Sequence, residues 1–112
     1  MYKLLLLVFI TMLFSCKAKE ESFVYRYEII TDAKSLSVTY QDKFDNTVTE
    51  PYVVSKWQYS WIQEGSRYLM IKVKNNTLDN SLIVVRIYRG KEVIAQTTRV
   101  GPLNFAGLSG IF

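Results

Sequence analysis

Apolar and polar residues alternate along most of the chain after residue 22, with the period of two that is typical of half-buried β-strands. In residues 23–31, for example, Phe23, Tyr25, Tyr27 and Ile29 share one face, while Arg and Glu lie on the other. No stretch of this region shows a sustained apolar stripe with helical spacing. The pattern predicts eight strands, at residues 23–31, 35–41, 47–54, 56–63, 67–74, 81–89, 92–100 and 103–112.

The turns between these segments add expectations about pairing. A turn at residues 32–34 predicts that the first two strands form an antiparallel hairpin. Pro51 predicts a sheet edge or a bulge, because proline cannot donate to a strand ladder. Residues 81–89 are apolar on both faces, which favours a central strand, and Gly90 predicts a tight hairpin after them. The fold class is therefore all-β: an immunoglobulin-like antiparallel β-sandwich of seven to eight strands, with a small barrel as the alternative.

The amino terminus has a different character. Residues 4–14 carry no charge, but they are too few for a membrane span, which needs about 20 residues, and they suit the apolar region of a signal peptide. They end in Leu13-Phe14-Ser15-Cys16, which resembles the lipobox of bacterial lipoproteins. The resemblance implies cleavage after residue 15, with Leu13 and Ser15 recognised by the signal peptidase, and acylation of Cys16. Acyl chains on Cys16 would hold the protein on a membrane.

Residues 16–22 are polar after the cysteine and read as a tether to a single domain at residues 23–112. Lys17, in place of Asp, resembles lipoproteins that are sent to the outer membrane. Residues 19–21 resemble the export signal of Bacteroidota surface lipoproteins, which leaves surface display and an inward-facing position both open. Loss of Lys3 with the signal reduces the net charge from +4 to +3. A net charge this small, without a basic cluster, argues against nucleic-acid binding.

Composition also limits the chemistry. The chain has no histidine, and its one cysteine is the predicted lipidation site, so the usual general base and a thiol nucleophile are both missing. Asp42 and Asp45 are the nearest candidates for paired carboxylates or a calcium site, but they lie in a predicted turn. The sequence predicts no enzyme, no cofactor and no metal site. Asn75-Asn76-Thr77 matches a glycosylation triplet, which we interpret as an ordinary loop.

Trp57, Tyr59 and Trp61 form an aromatic stripe on one face of the fourth predicted strand. One interpretation places them in the sandwich core, as is usual for a Trp in such folds. The other is a surface that stacks on sugar rings, with Trp61 the most exposed of the three.

Four short motifs follow one another along the chain: Tyr27-Glu28-Ile29, Ser37-Val38-Thr39-Tyr40, Val54-Ser55-Lys56-Trp57-Gln58-Tyr59 and Ile87-Tyr88-Arg89-Gly90-Lys91-Glu92-Val93. Together they resemble the MmpS-like β-sandwich domains, although Lys56 replaces a proline and the usual cysteine pair is missing. The resemblance implies an accessory role beside a membrane transporter. We therefore expect a lipid-anchored module that binds or scaffolds an envelope protein, or alternatively a module that binds a carbohydrate or lipid.

Overall fold

The computed structural model describes residues 21–54, 56–101 and 105–112. These residues form strands joined by turns, and none of them belongs to a helix long and apolar enough to cross a membrane. The strands are β1 (Ser22–Thr31), β2 (Leu36–Gln41), β3 (Thr47–Val53), β4 (Gln58–Glu64), β5 (Tyr68–Asn75), β6 (Leu82–Arg89), β7 (Glu92–Val100) and β8 (Phe105–Ile111).

The eight strands make two four-stranded antiparallel sheets that pack face to face. Sheet A has the order β4-β1-β6-β7, and sheet B has the order β3-β2-β5-β8. The predicted all-β sandwich of immunoglobulin-like type is confirmed, since the two sheets are separate layers and not one closed barrel. Each sheet buries one face against the other and leaves its second face toward solvent.

The core lies between the sheets and is built from every second residue of the inner strands. On β6 the inward residues Ile83, Val85 and Ile87 are completely buried. Burying an aliphatic side chain of this size contributes about 1.5–3 kcal/mol. The other fully buried apolar side chains are Tyr27, Ile29, Leu36, Val38, Leu69, Ile71 and Val73.

The predicted hairpin between the first two strands is wrong. β1 pairs with β4 and β6 in sheet A, whereas β2 pairs with β3 and β5 in sheet B. The connection at residues 32–35 therefore crosses from one layer to the other. Alternation shows which face of a strand is buried, but it does not show which strand lies beside it, so closeness in sequence was a poor guide here.

Two other expectations about strand position are confirmed. β3, which contains Pro51, is an edge strand, and its ladder with β2 shifts register between Leu36 and Val38. β6 is central, with β1 on one side and β7 on the other. The hairpin after β6 turns at Gly90, whose φ of 61° favours glycine.

Candidate functional site

The predicted lipidation site and its recognition residues lie outside the described part of the chain. This applies to Cys16, Leu13 and Ser15, to the rest of the predicted signal peptide, and to residues 16–20 of the predicted tether. At the other end of the tether, Ser22 already belongs to β1. The sandwich therefore begins one residue earlier than the sequence pattern indicated, and acylation of Cys16 stays a prediction.

The aromatic stripe faces the interior of the sandwich. Trp61 is 5% exposed, and Trp57 and Tyr59 are half-buried against the same cluster. Trp61 is thus the most buried of the three, and the expectation that it would be the most exposed is wrong. The reason is its position: Trp61 lies in the middle of β4, whereas Trp57 precedes the strand.

Ring contacts tie the stripe to the neighbouring strands. The ring centroid of Trp61 is 4.7 Å from that of Tyr27 on β1. Across the core, Tyr40 of β2 lies 5.0 Å from Trp57 and 4.9 Å from Tyr59. Tilted aromatic pairs at these separations stabilise a core beyond the effect of buried area alone. Stacking on sugar rings would need these aromatic rings in a row on the surface, but they pack in the core.

The polar atoms of these rings have specific partners. Trp61 Nε1 donates to Gln63 Oε1 at 3.0 Å, and Trp57 Nε1 donates to Glu50 Oε2 at 3.2 Å. The Tyr27 hydroxyl donates to the carbonyl of Gln41 at 2.8 Å. Burial raises the pKa of Tyr27, and burial together with the nearby Glu50 carboxylate raises the pKa of Tyr40 to about 12. Both phenols therefore stay neutral at ordinary pH and act as structural groups.

Asp42 and Asp45 organise the turn between β2 and β3. Asp42 Oδ1 accepts the N–H groups of Phe44 and Asn46, each at 2.9 Å. Asp45 has a φ of 63°, and its Oδ1 accepts from Gln41. These are the roles of aspartate in a tight turn. Nowhere in the described ranges do three or more His, Cys, Asp or Glu side chains gather as a metal site would require.

Asn75 was predicted to begin a loop but is the last, fully buried residue of β5. Its amide nitrogen donates to Asp79 Oδ1 at 3.1 Å and to the Gly101 carbonyl at 3.3 Å, and its oxygen accepts from Thr77. Asn75 thereby holds the loop that joins β5 to β6. The triplet therefore begins in a strand and not in a loop, and its asparagine amide is bonded inside the protein.

The outer face of sheet A carries a closed polar network at its centre. Glu28 lies 3.7 Å from the Arg86 guanidinium and accepts a 2.8 Å hydrogen bond from the Tyr88 hydroxyl. The guanidinium of Arg26 lies 4.1 Å above the Tyr88 ring, and Arg86 Nε donates to Gln96. The polar side chains at the centre of this face are thus bound mainly to one another.

Next to this network, toward the end of sheet A where β1 ends and β6 begins, lies an exposed apolar surface that we call the sheet A patch. It consists of Ile30, Leu82, Val84 and Val100. Ile30 is 45%, Leu82 43% and Val100 56% exposed, and Val84 is half-buried. The strand register places Ile30 opposite Val84 and Leu82 opposite Val100, so the four side chains are neighbours on one face.

The backbone under the patch is held in place. The Leu82 N–H donates to Asp32 Oδ1 at 3.0 Å, and the Leu82 carbonyl accepts from the Thr31 hydroxyl at 2.7 Å. Ile30, Thr31, Asp32 and Leu82 line a shallow depression of about 300 Å³ beside it. A contiguous apolar surface on a fixed backbone is typical of a surface that another molecule covers.

No protein-family model matches this chain, and the search of curated proteins found no match. The resemblance to MmpS-like domains therefore stays a prediction.

Proposed function

We propose that this protein is a lipid-anchored cell-envelope lipoprotein whose sandwich is a non-catalytic module that binds or scaffolds an envelope protein. The observation that carries the binding role is the sheet A patch, an exposed apolar surface that no strand of the described residues covers. The anchor follows from the lipobox resemblance at Leu13, Ser15 and Cys16. Lys17 supports the outer membrane as the location, with surface display as one of its two orientations.

The chemistry of the described residues supports binding rather than catalysis. The phenols of Tyr27 and Tyr40 stay protonated, and the Asp42 and Asp45 carboxylates accept hydrogen bonds within a turn. The carbohydrate-binding alternative would need the Trp57, Tyr59 and Trp61 rings on the surface, whereas they pack in the core. The proposal therefore gives the module no cofactor, and its partners are a membrane, through Cys16, and an envelope protein. An accessory role beside a transporter follows only from the MmpS-like resemblance.

Mass spectrometry of the mature amino terminus tests the anchor. We expect a peptide that begins at Cys16 and carries acyl chains, because one acyl chain binds a membrane marginally and more chains hold it stably. The variant Cys16→Ser should leave the membrane fraction or keep its first 15 residues. An intact Met1 with an unmodified thiol would contradict the anchor.

Detergent-solubilised full-length protein tests the binding role through the patch. We expect an envelope protein to copurify in stoichiometric amount with the wild type and to be lost with Leu82→Asp, because a carboxylate on an apolar contact must be desolvated. Ile111→Asp is the matched control, since Ile111 is 71% exposed on the outer face of sheet B. Equal recovery of the same protein with both variants would show that the patch is not the binding surface.

A further inference from the structure

The edge strand β4 has backbone groups that turn away from its neighbour β1. Ile29 N donates to the Trp57 carbonyl at 3.0 Å, which continues the ladder between β1 and β4 by one pair. Hydrogen-bonded pairs alternate along an antiparallel ladder. Residues 59, 61 and 63 of β4 therefore turn their N–H and carbonyl groups toward β1. The intervening residues, Gln58, Ser60, Ile62 and Glu64, turn theirs toward the open edge.

The other three edge strands have features that hinder a further strand. β3 contains Pro51, which has no N–H, and its ladder shifts register. The ladder of β7 also shifts register, between Ile87 and Tyr88 of its partner strand, and β7 and β8 contact each other across the sandwich. β8 carries Gly107 and Gly110. Bulges, proline and covering elements are the usual protections of a sheet edge.

In the part of the chain that the structure describes, β4 shows none of these protections. It pairs with β1 through seven consecutive positions without a register shift, and its sequence QYSWIQE contains no proline, glycine or lysine. Two of its outward residues, Ser60 and Ile62, are exposed. Within the described ranges, the backbone hydrogen bonds outside regular ladders engage none of the outward groups of β4. Such an edge is a ready template for strand addition.

The charged residues near the two ends of β4 are complementary to those of β4 in a second copy of the chain that runs antiparallel to it. Lys56, exposed, lies two residues before β4 at a bend where its φ is 66°, and Glu64, also exposed, ends the strand. Neither belongs to an ion pair among the described residues. An antiparallel copy centred on Ser60 places Gln58 opposite Ile62, and it brings the end of the strand next to Lys56 close to Glu64 of the second copy. A parallel copy would instead place like charges together.

We propose that two copies of this chain associate through β4, antiparallel about Ser60, to form one eight-stranded sheet. The pairs centred on residues 58, 60 and 62 supply about six backbone hydrogen bonds, two for each hydrogen-bonded pair. The two-fold axis is perpendicular to sheet A at Ser60. Both sheet A patches therefore lie on the same side of the dimer, where the outer faces stay open. The dimer does not depend on the envelope partner proposed above.

Thiol crosslinking of the full-length chain in membranes tests the dimer. Ser60→Cys brings a thiol beside its own copy at the two-fold axis, and opposed residues of a hydrogen-bonded pair have Cα atoms about 5.5 Å apart. Ser109→Cys is the matched control, because Ser109 is also an exposed serine that faces outward on an edge strand, β8. The wild type, whose one cysteine is Cys16, is the control for crosslinking through that residue.

With a short bis-maleimide we expect a covalent dimer of Ser60→Cys, and the wild-type yield for Ser109→Cys. A yield from Ser60→Cys no higher than that of the control overturns the proposal. The result is independent of whether an envelope protein copurifies, so the two proposals fail separately.

Charge reversal then tests the orientation of the two strands. In the Ser60→Cys background, Lys56→Glu or Glu64→Lys alone should lower the crosslinking yield roughly tenfold, because each variant turns two attractive contacts into repulsive ones. Lys56→Glu combined with Glu64→Lys should restore the yield, since the exchanged charges are again opposite in sign. Failure of the double variant to recover would contradict the antiparallel arrangement.

Discussion

The first half of β6 is apolar on both faces, but the two faces of the strand have different surroundings. On β6, Ile83, Val85 and Ile87 point inward and are completely buried, while Leu82 on the other face is 43% exposed. Val84 lies between these extremes. A two-layer sandwich covers only one face of each sheet. The comparison therefore teaches that the inner apolar residues make the fold, whereas the outer ones are available for recognition.

The largest difference between the faces should appear in stability. We expect Ile87→Ala to lower the free energy of unfolding by about 2–5 kcal/mol, because it leaves a cavity between the sheets. Leu82→Ala, on the outer face of the same strand, should cost less than about 1 kcal/mol. Urea denaturation of the two variants measures both values. Equal losses would contradict the division between a folding face and a recognition face.

The buried amide of Asn75 should have the next largest effect. Asn75→Ala removes the donor and acceptor that hold residues 77, 79 and 101, and it takes from the buried Gly101 carbonyl the hydrogen bond that Asn75 donates. We expect a loss of about 1–3 kcal/mol, together with faster proteolysis of the loop that follows β5. Asn80→Ala is the control, because Asn80 is exposed in the same loop. Equal protease resistance of the two variants would show that Asn75 does not hold the loop.

The smallest predicted effect is a pH dependence at the same loop. Hydrogen bonds from Ser81, Asn75 and Thr77 lower the pKa of Asp79 from 3.8 to about 2. A lowered folded-state pKa stabilises the protein fully above the unfolded value and loses that contribution as the pH falls toward the folded value. The unfolding temperature of Asp79→Asn should therefore vary less than that of the wild type between about pH 4 and pH 2. An equal change of unfolding temperature with pH in Asp79→Asn and the wild type would argue against this role of Asp79.

Much of the fold could be predicted from alternation alone. The strand positions and their inward faces follow from the period of two, and even the buried Gln63 and Asn75 continue the inward series of β4 and β5. Their burial was missed because polar residues do not fit an apolar template. Each of them is buried with its hydrogen bonds made inside the protein, which only the packed structure shows.

The candidate site was harder to predict because it depends on strand order. Leu82 and Val84 were correctly placed on an apolar face of a central strand, but whether that face is covered depends on the number of layers. Ile30 and Val100 become their neighbours only through the pairing of β1, β6 and β7. The aromatic stripe, by contrast, was conspicuous in the sequence and belongs to the core.

Photo-crosslinking in intact cells tests the recognition surface most directly. A photoreactive amino acid at position 82 of the full-length protein samples the sheet A patch, and the same residue at position 111 samples the exposed outer face of sheet B. We predict one discrete adduct with an envelope protein from position 82 and none of the same mass from position 111. No adduct from position 82, or the same adduct from both positions, would contradict a recognition role for the outer face of sheet A.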